Sequence, residues 1–169
     1  MSNGNASKKA RAKCAKKVCQ IVRRVLLDTS AYIDLQRARN HRREAWAINS
    51  LRQATAYSRQ FGKPFLSTMA VMEIARGLER EQNAVKLRDF FEYVAPNFEI
   101  VGFDFHAACL AGKIYAELQN SRNIIGVYDV GIAAIAIQED MTLVTSNDKH
   151  FQRITALGYP LKLENWRNP

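Results

Sequence analysis

The run Val25-Leu26-Leu27-Asp28-Thr29-Ser30 constrains this chain more than any other stretch. Three apolar residues of strand character end abruptly in a carboxylate, which two hydroxyl residues follow. In a parallel sheet that order places Asp28 at the carboxyl edge of a buried strand, where α/β folds gather their ligands. Segments of the same kind recur. Phe65-Leu66-Ser67 passes into a helix over 68–80, the run 98–103 ends at Asp104, and Met141-Thr142-Leu143-Val144-Thr145 breaks into Ser146-Asn147-Asp148. Leu161-Lys162-Leu163 forms a last edge strand. Strands alternating with helical segments predict an α/β fold of three layers, a mainly parallel central sheet with helices on both faces.

The helical segments carry their own signals. One opens at Ala31, and a second presents Ala47, Leu51 and Ala54 on one face. A third, over 82–94, is closed by Pro96, and a fourth repeats apolar residues from Ala108 to Leu118 behind Asp104, which reads as its N-cap. Tyr128 to Ile137 is so apolar that it must be buried, with Asp129 at its start as a natural cap. In the helix over 68–80 the apolar residues Met69, Val71, Met72, Ile74, Ala75 and Leu78 surround Glu73. A carboxylate there needs a cation or a hydrogen bond, or else snorkels toward Arg76 or Arg80. Gly77 costs helix stability and suggests a close backbone approach.

The formal net charge of +9 suggests nucleic acid until it is located. Residues 1–24 hold Lys8, Lys9, Arg11, Lys13, Lys16, Lys17, Arg23 and Arg24 with no acid, so the remaining chain is nearly neutral. The expected organisation is a basic arm over 1–24 and one folded domain over 25–169. The arm reads equally as an RNA-binding extension or as an upstream extension without function, and a targeting segment is a third reading. A second basic cluster, Arg37, Arg39, His41, Arg42 and Arg43, is either a solvated helix face or a phosphate-holding rim near the carboxylate edge. Three cysteines, with Cys109 far from Cys14 and Cys19, argue for free thiols in a reducing, cytoplasmic compartment. No apolar run reaches the roughly 18 residues of a spanning helix, so no membrane association is expected.

Asp28 and Asp148 follow strand ends, Asp129 opens a helix and Glu73 lies early in another, so all four can reach one edge. Four converging carboxylates would repel, and a divalent cation relieves that repulsion; oxygen ligands favour Mg²⁺ or Mn²⁺. Neither a nucleophilic triad nor a phosphate- or dinucleotide-binding glycine loop is present. What remains is metal-assisted hydrolysis of a phosphodiester.

Four motifs in order then resemble PIN-domain ribonucleases of the VapC toxin type. They are Leu26-Leu27-Asp28-Thr29-Ser30, Met72-Glu73-Ile74-Ala75-Arg76-Gly77, Tyr128-Asp129-Val130-Gly131-Ile132-Ala133-Ala134, and Leu143-Val144-Thr145-Ser146-Asn147-Asp148-Lys149-His150-Phe151. The stretch from Ile114 to Leu118 and the closing Leu163-Glu164-Asn165-Trp166 are similar too, so the likeness covers about residues 25–166. It implies a Mg²⁺-dependent endoribonuclease, the toxin of a toxin-antitoxin pair, held in check by a small antitoxin protein and forming a homodimer. By the match Asp28 and Asp129 are the metal ligands, and Glu73 with Asn147 or Asp148 completes the catalytic site. Ser30 stands where that family often has Asn. The competing readings are a PIN-type RNA-processing nuclease outside a toxin pair, a non-catalytic PIN-like binding module, and a receiver-type domain using Asp104.

Overall fold

The structure, a computed structural model, describes residues 23–169. Five strands alternate with seven helices among the described residues. In chain order they are β1 (Val25–Leu27), α1 (Thr29–Ala38), α2 (Ala45–Phe61), β2 (Phe65–Ser67), α3 (Thr68–Arg80) and α4 (Ala84–Asn97). There follow β3 (Glu99–Val101), α5 (Phe105–Asn120), α6 (Val127–Gln138), β4 (Thr142–Val144), α7 (Asp148–Ala156) and β5 (Lys162–Glu164). The sheet order is β3-β2-β1-β4-β5, and every pairing is parallel.

β1 is the middle strand, with Leu26 in register with Phe65 on one side and Leu143 on the other. Successive strand residues face opposite sides of a sheet, yet Val25, Leu26 and Leu27 are all fully buried. Both faces are therefore covered, as the three-layer expectation requires. Each short strand carries its chain to the same carboxyl edge, where Asp28, Ser67 and the 145–147 turn emerge side by side.

α6 is the helix buried all round, from Val130 to Ala136, and it packs on α5 and α3. A Cβ at Gly131 would lie 2.8 Å from Cε of Met69, so the missing side chain lets α3 settle against α6. The close approach expected at Gly77 is absent, since nothing lies within 4 Å of a Cβ built there. Gly77 is on the solvent side of α3. Pro96 also sits inside the last turn of α4 instead of beyond its end. Only its own N–H is missing from the ladder there, and Phe98 N still reaches Val94 O at 2.9 Å.

Of the arm expected over 1–24, residues 1–22 lie outside the described residues. Arg23 and Arg24 are described, and both are tied to the folded body. Arg23 pairs with Glu164 of β5, and Arg24 with Glu139 at 3.2 Å, while the Arg24 carbonyl accepts from Thr142 N. Cys14 and Cys19 fall outside the described residues, and Cys109 is an exposed free thiol. Among the described residues no helix is long and apolar enough to cross a membrane.

Candidate active site

Asp28 is the first residue past β1, and its backbone N–H still bonds Val144 O in the ladder. Its side chain caps α1 by accepting from Ala31 N at 2.8 Å. Two hydroxyls complete its shell. Ser30 Oγ donates to Oδ1 at 2.8 Å, and Thr145 Oγ1 donates to Oδ2 at 2.7 Å. Those hydroxyls face Asp28 as donors because their acceptor sites are taken. Ser30 Oγ accepts from Ser146 N and Ser146 Oγ, and Thr145 Oγ1 accepts from Asn147 N. Ser30 thus links the first and fourth motifs by itself, which Asn at that position is not needed to do.

Three donors would ordinarily hold a carboxyl low. Asp28 is only 3% exposed, however, and its pKa is raised from 3.8 to about 6. Burial is the main cause, the hydrogen bonds from Ala31, Thr145 and Ser30 oppose it, and the charge of Asp129 pushes it up further. Burial therefore sets Asp28 high, and the charge of Asp129 is the smallest of the influences on it. Asp129 lies in the first turn of α6, whose N-cap is Gly126, so Asp129 is not the cap and no side chain caps this helix. Its Oδ2 meets Nδ1 of His150 at 3.0 Å.

Glu73 is joined to this pair through Thr29, whose Oγ1 donates to Oε2 at 2.5 Å. The expectation of an apolar surround for Glu73 is corrected: only Ala70 and Ile74 of α3 are buried, and Met72 is 49% exposed. α3 lies at the surface and buries one stripe, so Glu73 sits part-exposed on its border. Asp148 and Asn147 share the turn after β4. Asp148 Oδ2 accepts from Asn165 Nδ2 at 3.0 Å, which ties it to the C-terminal segment, whereas Asn147 heads α7 without a side-chain cap bond. The basic cluster at 37–43 is not at this edge. It begins in the last turn of the ten-residue α1 and runs beyond it, roughly 15 Å from Asp28 at 1.5 Å per residue, and Arg39 is engaged there with Tyr93.

Among the described residues, no three His, Cys, Asp or Glu side chains enclose a ready cation site. The donor set still suits Mg²⁺, which is commonly held by one or two carboxylates with water and substrate phosphate filling its shell. Asp28 Oδ2 accepts one hydrogen bond and keeps a lone pair, and Asp129 Oδ1 accepts none among the described residues. A cation there also offsets the burial that chiefly raises Asp28, along with the smaller push from Asp129.

Sequence reasoning missed His150. It was visible only as part of the fourth motif, and nothing in its spacing tells that α7 turns it onto Asp129. The receiver reading fails on Asp104, which is an exposed N-cap accepting from Ala107 N and Gln138 Nε2.

Comparison with known proteins agrees with this geometry. Residues 25–157 match the PIN domain family. Ribonuclease VapC1 of Rickettsia felis is 29% identical over 136 residues, 79% of this chain and 92% of that protein. The tRNA(fMet)-specific endonuclease VapC of Salmonella typhimurium is 27% identical, covering 83% of this chain and 96% of that protein. Among solved structures, VapBC2 of Rickettsia felis bound to a promoter DNA fragment superposes with a TM-score of 0.64 at 26% identity, over 84% of this chain and 98% of that one. The chain is a PIN-domain protein, related to the VapC toxin ribonucleases of toxin-antitoxin systems.

Proposed function

We propose that this chain is a VapC-type endoribonuclease, the toxin of a toxin-antitoxin pair, and that Asp28 and Asp129 hold Mg²⁺, with Mn²⁺ as a substitute. The observation that carries the reading is the buried Asp28, pushed up to about 6 beside a second carboxylate at the carboxyl edge of the sheet. When bound, the cation supplies the positive charge that hydrolysis of a phosphodiester needs.

The chain's own residues set up the rest. Ala31 N–H, Ser30 and Thr145 fix the plane of Asp28, so its free lone pair has one direction. His150 fixes Asp129 and leaves its second oxygen available. Glu73, steadied by Thr29, accepts a proton from the attacking water or orients it, together with Asn147 or Asp148.

The partner reading is a small antitoxin protein. Relatives crystallised as VapBC complexes support it, as do the half-exposed Met72 and Phe91 on neighbouring helices α3 and α4. The deciding experiment incubates the protein with tRNA(fMet) and a panel of other structured RNAs, with Mg²⁺ or with chelator. Mg²⁺-dependent endonucleolytic products, absent when an upstream-encoded small protein is co-expressed, are expected. Intact RNA under all conditions would leave the non-catalytic binding module as the better reading.

A further inference from the structure

An edge built from Asp28, Glu73 and Asp129 repels a polyanion, so substrate needs a cationic handhold beside it. The large basic cluster at 37–43 is a helix length away. Arg76 is closer. It lies three residues past Glu73 on α3, which makes the two helix neighbours. Tyr128 directly precedes Asp129 in the first turn of α6. The guanidinium carbon of Arg76 lies 5.1 Å from the centroid of the Tyr128 ring. One side chain beside Glu73 therefore rests on one beside Asp129, across the seam where α3 and α6 pack.

The ion pairs sharpen this. Glu73 and Glu79 flank Arg76 three residues to each side, yet among the described residues no carboxylate pairs with it. An exposed guanidinium that bypasses two carboxylates for an aromatic face keeps its N–H fork unspent. The ring also restricts its rotamers, so less freedom is lost when a ligand arrives. Beyond the pair, Ile124, Gly126 and Val127 are exposed, and Arg153 Nη1 donates to the Ile124 carbonyl at 2.8 Å.

We propose that Arg76, laid on Tyr128, binds a phosphate of the RNA strand next to the phosphodiester being cut. The proposal rests on the ribonuclease reading and adds the residue that grips the strand. A planar fork matches two phosphate oxygens, which a lysine ammonium cannot do. Tyr128 acts through its ring face and needs no hydroxyl.

The test compares wild type with Arg76→Gln, Arg76→Lys, Tyr128→Leu, Tyr128→Phe and a control, Lys63→Gln, which removes one charge at the opposite edge of the sheet before β2. Binding of a short fluorescein-labelled single-stranded RNA is measured in chelator over a range of salt, and KM and kcat for RNA cleavage are measured with Mg²⁺. Arg76→Gln is expected to raise Kd and KM roughly tenfold, the usual scale of a charge-assisted hydrogen bond. It should also lower the salt slope by about 0.7, the value for one single-strand phosphate. Arg76→Lys should keep the slope and lose affinity. Tyr128→Leu should weaken binding less than Arg76→Gln without changing the slope, and Tyr128→Phe should recover most of that loss. Lys63→Gln should behave as wild type.

Wild-type Kd, KM and slope in Arg76→Gln would overturn the proposal and leave the ribonuclease reading standing. A Tyr128→Phe as weak as Tyr128→Leu would overturn the role of the ring. A wild-type chain that neither binds nor cuts RNA would remove the ribonuclease reading and this proposal with it.

Discussion

Nδ1 of His150 lies 3.0 Å from Oδ2 of Asp129, so the first turn of α7 reaches the first turn of α6. The two side chains are 40% and 20% exposed. A pair this open adds only about 0–1 kcal/mol to stability. Its effect lies in holding one carboxylate oxygen so that the other faces the site. His150→Ala should therefore weaken Mg²⁺ binding about tenfold, as loss of such an orienting partner typically does. The melting temperature should move by no more than about 3 °C. His150→Gln, which keeps a donor, should recover part of the affinity. Calorimetric Mg²⁺ titration beside thermal melting separates the two effects, and unchanged affinity in His150→Ala would rule out the orienting role.

Replacing Asp129 by Asn tests the ligand itself. The side chain keeps its size and an acceptor for His150, while a charge that adds slightly to the burial-driven rise of Asp28 is removed. Melting temperature should hold or rise. Mg²⁺-dependent cleavage should fall by orders of magnitude, because a lost ligand charge weakens the cation. If cleavage stays near wild type, Asp129 is only a first-turn residue of a buried helix.

The fold was readable because its signals are local. β2 at Phe65–Ser67 and α3 at Thr68–Arg80 sit where turn chemistry and periodicity placed them, whereas β3 stops at Val101, short of the run to 103, and β5 is shifted by one residue to Lys162–Glu164. The parallel sheet follows from the β-α alternation. Asp28 and Asp129 were readable because each follows or opens a buried element. Glu73 was read as enclosed because composition alone does not reveal that α3 buries a single stripe. Gly131, not Gly77, marks the close approach, since the fit depends on Met69 of another helix. His150, the Arg76–Tyr128 contact and the Asn165–Asp148 bond all join residues distant in sequence, and no spacing rule reports such pairs.

The C-terminal segment is fastened by a pair that sequence could not show. Arg167 donates from Nε and Nη2 to both oxygens of Asp34, whose side chain is 6% exposed, and lies over the Trp46 ring. The hydrogen bonds to Asp34 raise the Arg167 pKa above its ordinary value. Arg167 N bonds Asn165, and Asn165 bonds Asp148, so the fourth motif is braced through the same segment. Removing one partner of a buried pair costs about 3–5 kcal/mol, and the partial exposure of Arg167 reduces that to about 2. Arg167→Met should lower the melting temperature by roughly 4–8 °C. The double variant Asp34→Leu, Arg167→Met should regain much of that loss. A single variant as stable as wild type would mean the clamp carries no stability.

The same segment distinguishes the two residues of the fourth motif. Asp148→Ala frees Asn165 and should cost about 1 kcal/mol in chemical denaturation, the scale of one hydrogen bond. Asp148→Asn keeps an acceptor for Asn165, so stability should stay close to wild type. A loss of cleavage in Asp148→Asn then assigns the water-orienting role to its charge, and full cleavage there with a loss in Asn147→Ala assigns it to Asn147.

Asp28 makes the metal-free protein sensitive to pH, and the direction follows from its raised pKa. Below about pH 3.8 both folded and unfolded chains hold the proton. Between 3.8 and about 6 the unfolded chain releases it first, so folding stability falls as pH rises. Above about 6 the full penalty applies, about 3 kcal/mol at 1.36 kcal/mol per pKa unit. Other carboxylates titrate with the opposite sign, among them Asp104, held low chiefly by the Ala107 N–H. The informative quantity is therefore the difference between wild type and Asp28→Asn, measured by denaturation from about pH 4 to about pH 8 in chelator. Wild type should lose ground against the variant through this window and level off above it. Mg²⁺ should raise wild-type stability above about pH 6, where Asp28 is ionised, and progressively less at lower pH, with little effect on Asp28→Asn. A difference that stays constant with pH would show that Asp28 ionises as freely as in the unfolded chain, and the electrostatic case for a cation at this edge would fall.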